Sequence, residues 1–152
     1  MMQGDTVEDI LDFAIEREQE AADFYTDLVA QAKAPAMKDV FRQFSLEEQS
    51  HKDRLNKIKE GKQIKPIRGR QVLDLKIADY VVAEEPGPDI NYQSALILAM
   101  KKEKAAFRLY TALASQVEDP ELKKLLFELA QEEAKHKLRF EVEYDEYILK
   151  EN

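Results

Sequence analysis

Four stretches of the chain carry apolar residues at alternating steps of three and four, the spacing that keeps side chains on one face of a 3.6-residue helix. The first runs Leu11, Ala14, Glu18, Ala21, Tyr25, Leu28, Ala32, and the second Met37, Phe41, Phe44, Glu48, His51, Leu55, Ile58. The third runs Leu96, Ala99, Glu103, Ala106, Tyr110, Leu113, Val117. The fourth runs Leu122, Leu126, Leu129, Glu133, His136, Phe140 and continues towards Tyr144 and Tyr147. Each stripe is apolar or aromatic except at six positions: Glu18, Glu48, His51, Glu103, Glu133 and His136.

Local signals bound these helices at about 6–33, 35–60, 91–117 and 120–150. Thr6 can cap the first, with Asp9 as its capping-box partner. The residue before Pro35 is disfavoured in the α region, which ends that helix, and Pro35 itself suits the first turn of the next, with Gly61 as its stop. Asn91 is a good cap for the third. Asp119, Pro120 and Glu121 form the clearest start in the chain, combining a cap, a first-position proline and an acid at the positive helix end.

Residues 61–90 break the pattern, punctuated by Gly61, Pro66, Gly69, Pro86, Gly87 and Pro88. A structureless loop of that length is unusual in a compact domain. A crossover along the length of a bundle explains it, since a 25-residue helix is only about 38 Å long. Within it, Leu73 to Val82 suits a short helix or an extended segment. Lys62, Lys65, Arg68 and Arg70 read as a solvated loop rather than a docking site.

The two halves repeat each other. Glu18 and Glu103 are 85 residues apart (103 − 18), as are Glu48 and Glu133 (133 − 48), and the apolar stripe positions from Leu11 to Leu55 match those from Leu96 to Phe140. This is a duplicated helical hairpin, with copies too few and too long for a solenoid. The expectation is an all-α four-helix bundle in one domain, residues 1–152, of two hairpins joined by the long crossover.

Each half carries a lone Glu, then Glu-x-x-His thirty residues on: Glu18 with Glu48-Gln-Ser-His51, and Glu103 with Glu133-Ala-Lys-His136. Folding each hairpin at its turn brings the Glu and the Glu-x-x-His to one level near mid-bundle. Glu47 and Glu132 fall off the stripes and are left out of the site. Four ionised carboxylates in an apolar core repel each other and are poorly solvated, so protons or cations must neutralise them. Two divalent cations do so completely. A Glu from each of two helices plus Glu-x-x-His from each of the others is a known di-iron and di-manganese arrangement in bundles. Such a carboxylate-dominated set suits two iron ions, with manganese as the alternative and zinc able to substitute in purified protein. Tyr25 and Tyr110 lie on the same faces, placed to hydrogen-bond to the carboxylates, to take part in redox chemistry, or to serve as core aromatics with satisfied hydroxyls.

Composition narrows the function. A formal charge of −8 argues against a nucleic-acid backbone as partner. No cysteine is present, which excludes thiolate chemistry and iron–sulfur ligation within this sequence. No long apolar run or signal-like start is visible, so the chain reads as cytoplasmic with no membrane partner.

On Glu18-Gln-Glu-Ala-Ala-Asp-Phe-Tyr25, Glu48-Gln-Ser-His51, Glu103-Lys-Ala-Ala-Phe-Arg-Leu-Tyr110 and Glu133-Ala-Lys-His136, the sequence resembles the rubrerythrin branch of the ferritin-like superfamily. The resemblance covers essentially the whole chain. It implies a di-iron oxidoreductase reducing hydrogen peroxide or dioxygen, with electrons from a separate donor such as a rubredoxin, in a homodimer. The chain departs from the family pattern at Ala106, where rubrerythrins place an additional carboxylate ligand. The remaining set is similar to bacterioferritin ferroxidase centres, which makes ferroxidase or iron storage the alternative.

Overall fold

The computed structural model describes residues 6–61, 73–84, 87 and 90–151. Four long helices carry the fold: α1 (Val7–Gln31), α2 (Pro35–Gly61), α3 (Tyr92–Gln116) and α4 (Pro120–Glu151). Their ends follow the expected chemistry. The Thr6 hydroxyl accepts from the Asp9 N–H and the Asp9 carboxylate accepts from the Thr6 N–H, a complete capping box. Asn91 Oδ1 accepts from the Ser94 N–H at 2.8 Å, and Asp119 Oδ1 from the Glu121 N–H at 2.9 Å. Helix α1 ends slightly early, because Ala32 is extended (ψ 133°) while its N–H still closes onto the Leu28 carbonyl.

The helices pair as two hairpins, α1 on α2 and α3 on α4, each more closely packed than hairpin on hairpin. All seven members of the α1 stripe are buried, and so are the motif residues of the other three. Two apolar clusters cap the bundle, one at each end. One joins the start of α1 to the end of α3, with Ile10, Leu11, Leu55, Leu113, Val117 and Leu122. The other joins the end of α1 to the start of α3, with Leu28, Met37, Phe41, Leu96, Ala99 and Phe140. Helices α1 and α3 are therefore antiparallel, and α2 ends where α3 does.

That geometry requires the chain between α2 and α3 to travel the length of the bundle. Its described parts do so. Leu73 and Leu75 pack in the first cluster, Val82 and Ile90 against the second. Between them Ile77–Tyr80 forms one 3₁₀ turn, which settles the choice between helix and extended chain as a short turn flanked by extended residues. The side chain of Gln116 clamps the start of this stretch, accepting from the Asp74 N–H at 2.7 Å and donating to the Asp74 carbonyl at 3.2 Å. The basic residues Lys62, Lys65, Arg68 and Arg70 lie outside the described residues.

Phe140 is fully buried and touches three aromatic rings, with centroids 5.2 Å from Tyr25, 5.9 Å from Phe41 and 5.4 Å from Phe44. Phe140→Ala should cost about 3–5 kcal/mol, while removing the α3 cap with Asn91→Ala should cost about 1 kcal/mol. Urea denaturation of both variants checks this ordering.

Candidate metal centre

Midway between the apolar clusters the four stripes turn polar together. Glu18, Glu48, His51, Glu103, Glu133 and His136 are each between 0 and 2% exposed. The structure brings all six expected residues into one group. Their atoms form two overlapping sets, Glu18–Glu48–His51–Glu133 and Glu48–Glu103–Glu133–His136, each with one donor atom per residue within 4.8 Å of the others. Glu48 and Glu133 belong to both.

The distances explain the overlap. His51 Nδ1 lies 3.2 Å from Glu18 Oε2, 3.3 Å from Glu48 Oε1 and 3.4 Å from Glu133 Oε1. His136 Nδ1 lies 3.3 Å from Glu103 Oε2, 3.4 Å from Glu48 Oε1 and 3.6 Å from Glu133 Oε1. Glu48 and Glu133 thus sit between the two imidazoles, while Glu18 and Glu103 flank the outer sides. Although Glu48 Oε1 is within ion-pair distance of both rings, neither contact has hydrogen-bond alignment. Six buried side-chain polar atoms lack a hydrogen-bond partner among the described residues. Five are here: both oxygens of Glu48, Glu103 Oε2, Glu133 Oε1 and His136 Nδ1. Orphaned acceptors in a dry core are costly unless something binds them. Oxygen and imidazole donors converging on two points fit a pair of cations.

Outside this group a second ring of contacts holds the donors, and it runs crosswise between the hairpins. Tyr25 on α1 donates its hydroxyl to Glu103 Oε1 on α3, and Tyr110 on α3 donates to Glu18 Oε2 on α1 at 2.5 Å. Burial, then the charge of Glu103, pushes the Tyr25 hydroxyl well above its ordinary range; burial and Glu18 do the same for Tyr110. Both remain neutral donors. The contacts display hydrogen bonding to the carboxylates, from hydroxyls on rings that are fully buried in the core.

The glutamates set aside for falling off the stripes have a place after all. Glu132 Oε1 on α4 meets His51 Nε2 on α2 at 2.9 Å, and Glu47 Oε1 on α2 meets His136 Nε2 on α4 at 2.8 Å. Neither belongs to the two donor sets. Each holds the outer nitrogen of the opposite hairpin's histidine as an N–H donor, which turns Nδ1 inward. A carboxylate behind a ligating imidazole fixes its tautomer and orientation. Arg54 supports one of them, with Nη1 3.4 Å from Glu132 Oε2. The sequence did carry a signal: Glu47 and Glu132 are themselves 85 residues apart (132 − 47), so the repeat is Glu-Glu-x-x-His.

Without cations, protons carry the neutralisation. Burial, followed by the charges of Glu18 and Glu103, raises Glu48 well above the usual carboxylate range. Burial, followed by Glu103, Glu48 and Glu18, raises Glu133 likewise. Burial by itself lowers His51, but the hydrogen bond and charge of Glu18 and the charge of Glu133 outweigh it and lift the ring to about 10. His136 rises to about 9 against the same burial penalty, chiefly through Glu103. A pKa raised on folding means that the folded state binds more protons than the unfolded one. That stability is fully present below the unfolded values, 4.5 for Glu and 6.5 for His, and is lost as pH rises through the folded ones. The thermal midpoint of metal-free protein should therefore fall between pH 6.5 and about 10, and a divalent metal should remove that fall. Melting curves at graded pH, with and without Mn(II), check both halves.

No helix among the described residues is long and apolar enough to cross a membrane. No curated protein matches the chain at significant similarity. Among solved structures, a protein from Thermotoga maritima described as ferritin-like and diiron-carboxylate superposes with a TM-score of 0.84 at 22% identity. The match covers 97% of this chain and 99% of that one. At that identity the likeness shows the fold: a ferritin-like bundle, in line with the four-helix bundle expected from the duplicated stripes and the superfamily implied by the resemblance. A hypothetical protein from Pyrococcus furiosus matches with a TM-score of 0.66 at 28% identity, covering 91% of this chain and 87% of that one. The family model for rubrerythrin matches residues 9–144, a span that takes in every residue of the polar group. The chain belongs to the rubrerythrin family.

Proposed function

We propose that the protein is a non-haem di-iron oxidoreductase that reduces hydrogen peroxide or dioxygen. In this reading Glu18 and His51 would hold one ion, Glu103 and His136 the other, and Glu48 and Glu133, which belong to both donor sets, would contribute to each. The observation that carries it is the sharing of Glu48 and Glu133 by two otherwise separate donor sets. Family membership favours iron. An oxygen-rich set with one imidazole per ion also suits iron or manganese better than structural zinc.

Bound iron would supply the two electrons that, with two protons, convert hydrogen peroxide to two waters. The residues of the chain do the rest. Tyr25 and Tyr110 hold the outer carboxylates, Glu132 and Glu47 hold the imidazoles, and the apolar clusters keep bulk water from both ends. These 152 residues contain no cysteine, so the reading takes electrons from a separate donor such as a rubredoxin. A homodimer in the cytoplasm remains the expected setting.

A second reading, ferroxidase or iron storage similar to bacterioferritin, rests on the near-symmetry of the two donor sets and on Ala106, which adds no seventh carboxylate.

Anaerobic Fe(II) loading followed by stopped-flow mixing separates the two. Oxidation by peroxide at least about tenfold faster than by dioxygen, or about 1.4 kcal/mol in barrier, supports the first reading with peroxide as its oxidant. Preference for dioxygen supports the ferroxidase. Glu48→Ala should lose bound iron and both reactions; an unchanged variant would remove the metal reading altogether.

A further inference from the structure

A cavity of about 190 Å³ lies between α1 and α3, roofed by Tyr80, Val81 and Val82 of the crossover. Its floor is formed by Glu18, Glu48, Glu103 and Glu133. Its walls are apolar and mostly small: Phe13, Ala14 and Ala21 from α1, Ala106 and Leu109 from α3. It reaches the surface beside Arg17, Glu20 and Lys102.

The cavity is larger than a small oxidant needs. An apolar cavity of roughly 150 Å³ accommodates benzene. Peroxide and dioxygen have two heavy atoms each and need a fraction of this space. Cations held among the carboxylate oxygens would occupy only the floor, leaving the apolar part open. Apolar walls reward burial of hydrocarbon and offer nothing to a hydrated inorganic anion.

The mouth is charged. Arg17 and Lys102 are counterparts in the duplication (102 − 17 = 85), so the repeat places one cation on each side of the opening. Arg17 stacks over Phe13, its Cζ 4.8 Å from the ring, and its Nη2 meets Glu20 at 2.5 Å and Glu16 at 3.7 Å. Its Nε is the sixth buried polar atom without a hydrogen-bond partner, the one that the metal-site donors do not account for. Lys102 is largely buried, with its Nζ 3.9 Å from Glu20, beyond hydrogen-bond distance. Glu20, the mouth's own carboxylate, engages one Arg17 nitrogen and lies beyond hydrogen-bond distance of Lys102, whose Nζ sits 5.7 Å from the Phe24 ring, so both cations keep donors to spare.

We propose that this cavity binds a small organic acid, a carboxylate on an apolar body of about six to eight non-hydrogen atoms. The carboxylate takes the Lys102 Nζ and the rim-exposed guanidinium of Arg17 at the mouth. The apolar body lies over Ala14, Ala21 and Ala106 and faces the floor glutamates. The binding site would thus set beside the proposed metal pair a ligand other than the oxidant. It rests on that pair only for what the ligand faces, since walls and mouth belong to the chain itself.

The probe is 4-fluorobenzoate, followed by ¹⁹F NMR against metal-free and Mn(II)-loaded protein. Saturable binding is expected in both forms, with strong relaxation enhancement of the fluorine only in the Mn(II) form. Fluorobenzene, which lacks the carboxylate, should bind at least tenfold more weakly, and so should 4-fluorobenzoate to Arg17→Gln. Ala106→Phe should abolish binding by filling the cavity while manganese content stays unchanged. Arg17→Gln alters a partly exposed rim residue and keeps the test open if Ala106→Phe fails to fold. No saturable binding to folded wild-type protein, or equal binding of the neutral probe, overturns the proposal. Loss of manganese from the wild type would instead count against the metal reading, and binding to the metal-free form would still decide this one.

Discussion

The structure depends on one electrostatic constraint: four carboxylates lie within a few ångströms of one another, each almost wholly buried. Desolvation alone penalises each charge, and mutual repulsion adds to it. Nothing in the apolar framework relieves that cost. Only cations can, whether as protons shared among Glu48, Glu133 and the imidazoles or as metal ions. Everything around the group is arranged to keep the donors in place for such a cation. Tyrosine hydroxyls hold the outer carboxylates and Glu47 and Glu132 hold the histidines.

The same contacts are also the seam of the molecule. Each hairpin packs intimately within itself, whereas the ties at mid-bundle run between hairpins: Tyr25 to Glu103, Tyr110 to Glu18, Glu132 to His51 and Glu47 to His136. A buried polar layer is a weak source of stability in itself. The apolar clusters at either end supply the burial that lets the layer exist. Duplication makes this economical in sequence, because one hairpin's pattern, written twice, places each donor opposite its counterpart.

Much of this was legible in the chain because two periodicities coincide. The 3.6-residue stripe assigns a face, and the 85-residue repeat assigns a partner, so Glu18, Glu48, His51, Glu103, Glu133 and His136 stood out as polar intruders on apolar faces. The helix caps were legible for a local reason: Thr6, Asn91 and Asp119 each act within three residues. Glu47 and Glu132 were passed over because a stripe gives the direction of a Cα–Cβ bond, not the reach of a long side chain towards a neighbouring helix. The cavity was hidden for a different reason. Small residues such as Ala14, Ala21 and Ala106 read as close packing, and only the separation of α1 from α3 beneath the crossover turns them into space. Ala106 marks the difference, being only partly buried where its stripe neighbours are fully so.

The central claim is that Glu48 and Glu133 join two cation positions into one centre. The most direct measurement is a titration of metal-free protein with Mn(II), followed by electron paramagnetic resonance. Two ions per chain with the spectrum of an exchange-coupled pair is the predicted result. A single ion, or two that remain magnetically independent, would contradict it.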